Sequence, residues 1–298
     1  MMQESSKHQE GVARAARSLN GLAVGDCLGE RFFGPPDAVM RRIEGRQMPK
    51  APWGYTDDTE MALSVFAMLR DHQSIDQDKL ARAFSARMGR DRGYGRSAFE
   101  ILWSIRQGAS WMALSHEACG GTGSYGNGAA MRVAPLGAYF ADDLDRCVQQ
   151  ARLQSEITHT HKEGIAGAIA VAVATALVWR HRDRPLSRDR FLQALCEHVP
   201  ESETKEGIQV ARSLAEDCQV EEAARRLGNG SKIAAQDTVP FCMWVVSGHL
   251  QESYEEAFWA TVSALGDRDT TCAIVGGILG VCLDAPSDWT RSCEPIAP

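Results

Sequence analysis

Apolar positions recur at helical spacing along most of the chain. Val12, Ala15, Ala16, Leu19, Leu22 and Ala23 form one stripe; Met61, Val65, Met68 and Leu69, flanked by Ala62 and Phe66, form another. Similar patterns predict helices around 76–90, 96–107, 143–153, 162–181, 187–198, 205–216, 219–227, 240–250, 253–265 and 271–283. Residues 37–52 read as a loop with a short helix. No stretch alternates as a half-buried strand would, and no fixed-period repeat is visible. No linker or charge block divides the chain. The expectation is an all-α fold, a single-domain orthogonal multi-helix bundle over 12–298, behind a flexible N-terminal tail at 1–11.

The polar positions that break this pattern are concentrated at two predicted helix starts. Thr56-Asp57-Asp58-Thr59 stands just ahead of the Met61 stripe, with Thr56 in N-cap position and acids in the first turn. Asp267-Arg268-Asp269-Thr270-Thr271 precedes the apolar run Cys272–Leu279 in the same way. One acidic helix start is ordinary capping. Two that converge would place four carboxylates in one pocket, with a formal charge matching two divalent cations. Carboxylates with threonine hydroxyls are hard oxygen donors, suited to magnesium or manganese rather than zinc.

Composition adds limits. The chain has 298 residues, 44% of them hydrophobic, and a formal net charge of −7, which disfavours a nucleic-acid partner. Nine scattered cysteines without a Cys-x-x-Cys pair read as buried thiols in a reducing compartment. The polar first ten residues lack a signal-peptide core, so the expected location is cytoplasmic. The Ala/Gly-rich run Gly164–Trp179 reads as a close-packed core helix rather than a membrane span.

Glycines cluster at Gly120–Gly128. Gly121 to Gly126 spells G-x-G-x-x-G, but no strand precedes it and no βαβ unit surrounds it, so a dinucleotide fold is excluded. A backbone cradle fits better, its N–H groups and the helix start near Asn127–Met131 receiving an anion such as a pyrophosphate. In Thr158-His159-Thr160-His161 no partner lies at zinc-site spacing. His159 is open to two readings, a ligand for phosphate or ribose hydroxyl and a purely structural histidine.

Five stretches, in order, resemble the ADP-ribosylglycohydrolase family, which includes the dinitrogenase reductase-activating glycohydrolases. They are Gly25-Asp26-Cys27-Leu28-Gly29, Thr56–Met61, Gly126–Arg132 with Pro135-Leu136-Gly137, Thr158-His159, and Gly266–Thr270. The resemblance spans about residues 20 to 284. It implies an all-α fold with a dinuclear magnesium or manganese cleft, and hydrolysis of the glycosidic bond joining ADP-ribose to a modified protein side chain, often arginine. It further implies Thr56, Asp57, Asp58, Asp267, Asp269 and Thr270 as metal ligands, and Ser124, Tyr125, Gly126, Asn127, Gly128, Met131 and His159 as the ADP-ribose site. Arg268 stands where the family often has threonine and is expected to face away from the metals. Many members carry a glutamate seven residues beyond the first-motif aspartate; here that position is Phe33. Glu30, one helical turn after Asp26, is the nearby carboxylate, and Glu30 or Asp58 is the candidate general base.

Two rivals remain beside the hydrolase. All-α nucleotide pyrophosphohydrolases also cluster acids around magnesium, but they use E-x-x-E helices, and no such pair frames these motifs. A protein that neutralises a cognate ADP-ribosyltransferase by binding it would use the tail before Val12 as an inserting arm.

Overall fold

The structure, a computed structural model, describes residues 2–296. Among these the chain forms seventeen helices and no strand. The all-α expectation is met.

Helix α1 (Met2–Gly29) and α16 (Arg268–Leu279) form the axis that positions the site. They cross along glycines. A Cβ on Gly25 would run into the Cys272 carbonyl oxygen, and one on Gly29 would stand 2.5 Å from the Arg268 carbonyl oxygen and 3.0 Å from Asp269 Cα. Only a hydrogen at these positions lets the two backbones touch. Ser18 and Tyr254 seal the crossing by donating to the Gly277 and Gly21 carbonyls, at 2.7 and 2.5 Å. Helix α3 (Asp57–His72) packs against both.

Helix α10 (Lys162–Arg180) runs through the core. It is long and apolar enough to cross a bilayer, but 89% of its apolar window is buried inside the protein, which makes it the core helix the Ala/Gly composition predicts. Helices α7 (Gly128–Met131), α8 (Ala134–Tyr139), α9 (Leu144–Glu156) and α14 (Ala235–Gly248) surround it.

Several elements depart from the sequence reading, among them the following. Residues 2–11, expected in the loose tail 1–11, are the first turns of α1: Ser6 donates to Glu10 one turn on, and His8 Nδ1 meets the Tyr139 hydroxyl at 2.8 Å. Polar residues carry no apolar periodicity, so this extension is invisible to pattern, and the inserting-arm idea loses its free arm. Helix α6 (Trp111–Gly121) is an addition, broken by non-helical backbone at Ala118, Cys119 and Gly120. Helix α14 starts at Ala235, leaving Pro240 inside it rather than at its first turn.

Candidate active site

Asp26, on α1, is the centre of the site and was not among the ligands read from sequence. It is fully buried and accepts from the Thr56 amide (2.9 Å), the Thr56 hydroxyl (2.7 Å), the Thr59 amide (3.1 Å) and the Thr59 hydroxyl (2.5 Å). These bonds clamp the start of α3 to α1. The sequence signal was its place in Gly25–Gly29, the first of the five family-like stretches, where it was given no role as a ligand. Burial still raises the Asp26 carboxyl to about 6, against the pull of the Thr59 and Thr56 hydrogen bonds.

Thr56 is the N-cap of α3, as its position predicts, accepting from the Asp58 amide at 3.4 Å. Its hydroxyl lies 2.7 Å from Asp26 Oδ1 and 3.0 Å from Asp58 Oδ2. One hydroxyl has one proton and cannot donate to both. Asp58 Oδ1, buried, has no partner at all. Burial first, then the neighbouring Asp26 and Asp269, push Asp57 and Asp58 well above the carboxylate range.

The second acidic segment meets the first, as its motif requires. Gly29 against Asp269 brings the end of α1 onto the start of α16, and Asp267 and Asp269 both add to the repulsion felt at Asp57 and Asp58. Burial and Asp269 raise Asp267 to about 7, while a 2.7 Å hydrogen bond from Asn127 Nδ2 opposes the shift. The Asp269 carboxylate accepts from the Thr270 amide at 2.9 Å. Arg268 turns away from the acids, as expected: it donates to the Phe32 carbonyl at 3.0 Å and lies 4.9 Å from the centre of the half-exposed Phe33 ring.

Beyond Gly29 the chain makes a short 3₁₀ turn, Glu30–Phe32. Glu30, Arg31, Phe33, Tyr55, Thr56, Arg92 and Asp269 line an open cleft of about 330 Å³. Glu30 is half-buried there, its carboxyl raised by burial and then by Asp269. It therefore reaches the cleft that position 33 would have supplied.

The glycine-rich loop packs beside the acids through Asn127, whose amide bonds both Asp267 and Thr238. Ser124 Oγ accepts from the Gly126 amide, Tyr125 pairs its carbonyl with the Ala235 amide, and Asn127 donates its own to Ile233. The loop is thus an edge laid against residues 233–235. The Tyr125 ring is half exposed, edge-on to His161. Helix α7 after it has only four residues, so it contributes little dipole; an anion here would rely on loop N–H groups. Met131 is buried in the core.

His159 lies under the loop. Its Nδ1 is 2.7 Å from the Thr158 hydroxyl, and its ring sits where Cβ atoms on Gly126 and Gly128 would be, at 3.1 and 2.9 Å. The glycines are there to clear this ring. Burial, then the nearby Arg132, lowers its pKa to about 3, so it is neutral. Arg132 was a second omission. It is fully buried, bonds Gln154 and Thr158, stacks over Phe84 at 4.5 Å, and is lowered to about 9 by burial.

These residues fit divalent cations by the chemistry of their donors: oxygen atoms only, one buried carboxylate oxygen without a partner, and mutual repulsion among the acids. Among the described residues no three His, Cys, Asp or Glu side chains close around a single point, so threonine, backbone or water oxygens must complete any coordination shell.

An all-α fold in which acids of three helices crowd together beside a cleft defines the class, and comparison with known proteins names it. The profile of the ADP-ribosylglycohydrolase family matches residues 7–296, and the chain belongs to that family. It is similar to the human protein named ADP-ribosylhydrolase ARH3, 28% identical over 337 residues, with 94% of this chain and 91% of the relative aligned. An uncharacterised protein of Archaeoglobus fulgidus is 30% identical over 276 residues, covering 87% of this chain and 84% of that protein. A solved structure titled ADP-ribosylglycohydrolase-related protein complex shares the fold with a TM-score of 0.67 at 21% identity, covering 96% of this chain and 94% of that one.

Proposed function

We propose that this protein hydrolyses the glycosidic bond between ADP-ribose and a modified protein side chain, with arginine the first linkage to test and two Mg²⁺ ions, or Mn²⁺, as cofactor. The observation that carries the reading is the partnerless Asp58 oxygen buried among Asp26, Asp57, Asp267 and Asp269. Desolvated acids this crowded are tolerable only protonated or neutralised by cations.

Thr56, Asp57, Asp58, Asp267, Asp269 and Thr270 would hold the ions, and Asp26 would keep Thr56 and Thr59 in place. Ions bound there would supply Lewis-acid polarisation of water and of ribose oxygens. Glu30, at the cleft wall, takes the proton from the attacking water; Asp58 is too enclosed beside Thr56 and Asp26 to serve as well. The carboxylates stabilise positive charge on an oxocarbenium-like ribose. Ser124, Gly126, Asn127 and Gly128 present the loop to the diphosphate, Tyr125 offers its ring to the nucleotide, and Met131 and His159 support the loop from below.

The test is release of free ADP-ribose from an arginine-modified protein, with Mg²⁺, with Mn²⁺ and with chelator. Metal-dependent release that disappears in Asp57→Ala supports the reading. Release that persists in that variant, or that ignores the chelator, defeats it.

A further inference from the structure

Near its C-terminus the chain returns to the cleft. Cys293 pairs with Trp53 in an isolated parallel bridge; the Trp53 amide donates to Ser292 at 2.8 Å and the Glu294 amide to Trp53 at 2.7 Å. This brings the Glu294 carboxylate onto Arg92 as a two-pronged pair, at 2.8 and 2.9 Å. The same guanidinium lies 3.7 Å from the centre of the Tyr55 ring and donates to the Tyr55 carbonyl at 2.9 Å. The backbone carbonyl of Arg92 accepts from the Asp57 amide at 2.7 Å. From the inner side Glu60 holds the same loop, through the Gly89 amide at 2.9 Å and the Tyr94 hydroxyl at 2.8 Å.

We propose that Glu294 is a positioning residue for the hydrolytic site: by fixing Arg92 it fixes the Tyr55 wall of the cleft and the turn that presents Thr56 and Asp57. A lone surface ion pair would have little leverage, because ordering two long side chains offsets the attraction. Here both partners are already tied by backbone bonds, the pairing is bidentate, and Arg92 is additionally stacked, so the charge pair acts on a prepared geometry.

This inference rests on the proposed reading of Asp57, and its experiment separates the two. In the full chain, Glu294→Ala and Glu294→Asp are compared with wild type by amide hydrogen exchange, by Mn²⁺ titration and by turnover of arginine-linked ADP-ribose. For Glu294→Ala the expected result is faster exchange at the Asp57 amide, by about tenfold, with α10 unchanged. Mn²⁺ affinity and kcat each fall about tenfold, in the range for residues that orient a metal's ligands, and KM stays within about twofold. Glu294→Asp, which keeps the charge, recovers part of each loss. Unaltered exchange at Asp57, or a lowered melting temperature with metal affinity and kcat intact, overturns the proposal and leaves Glu294 a fastener of the C-terminus. If the wild type neither binds Mn²⁺ nor releases ADP-ribose, the functional reading is what fails, and exchange at Asp57 still decides whether Glu294 positions the turn.

Discussion

Glu163 and Asp58 are both carboxylates buried in the first turn of a helix, and their surroundings are opposite. Glu163, at the start of α10, accepts from the Glu203 amide (3.0 Å), the Thr204 amide (2.9 Å) and the Thr204 hydroxyl (2.8 Å), capping α12 (Glu203–Ser213) from outside. Asp58, at the start of α3, has one oxygen with no partner and another sharing a single hydroxyl proton with Asp26. Burial alone does not mark a functional acid. A carboxylate whose acceptor capacity is filled by the protein is a structural part, and one left open among like charges is built for something the chain does not contain.

The sharpest way to break this contrast is to neutralise each acid in turn. Asp58→Asn should abolish metal-dependent turnover while making the metal-free protein no less stable, since it removes a repelled charge; thermal melts with chelator check the second half. A metal-free Asp58→Asn that melts far below wild type would sink the comparison. Glu30→Gln should lower kcat by roughly 10²–10⁴-fold, the contribution of a general base, with Mn²⁺ affinity little changed by calorimetry.

Glu163→Ala should do the reverse. It leaves the Glu203 and Thr204 amides without an acceptor and should cost about 2–6 kcal/mol in denaturant unfolding, at about 1–3 kcal/mol per orphaned group, while the folded fraction keeps its kcat. Divalent metal should stabilise the wild type against heat by about 2.7 kcal/mol at one hundred times its dissociation constant, and should not stabilise Asp58→Asn to the same degree.

The remaining expected effect, confined to acid pH, concerns His159. Its pKa of about 3 in the folded protein lies below the unfolded value near 6.5, so between these limits the unfolded state binds the extra proton. Stability therefore falls as pH drops through that window, by up to about 1.4 kcal/mol per pH unit from this group alone. His159→Asn should flatten that slope in urea titrations at pH 4 to 6, and an unchanged slope would mean the ring is not desolvated as described.

Much of this was legible in the chain. The starts of α3 and α16 announced themselves because acids with threonine neighbours, set just ahead of an apolar stripe, leave little else for the backbone to do: Thr56 caps α3, and Asp267 stands at the N-cap position of α16. Glu30, expected on a continuing helix one turn beyond Asp26, lies instead in the 3₁₀ turn after α1 ends at Gly29, and from there it still lines the cleft. The role of Asp26 was not legible, because a motif aspartate reads the same whether it meets solvent or two threonines from another helix. The first turns of α1 were lost for want of apolar residues, and the start of α14 was misplaced because Pro240, favoured at a first turn, stands within the helix against Gly207.

The amino-acid order by itself determined the all-α class, most of the helices and the oxygen-only chemistry of the acidic turns. Only the tertiary structure decided that Gly25 and Gly29 on α1 would lie against the backbone of α16, and that crossing crowds Asp26, Asp57, Asp58, Asp267 and Asp269 together. The reason is range: caps and periodicity act over a few residues, whereas the repulsion that defines this site exists only once segments more than two hundred residues apart have been packed together.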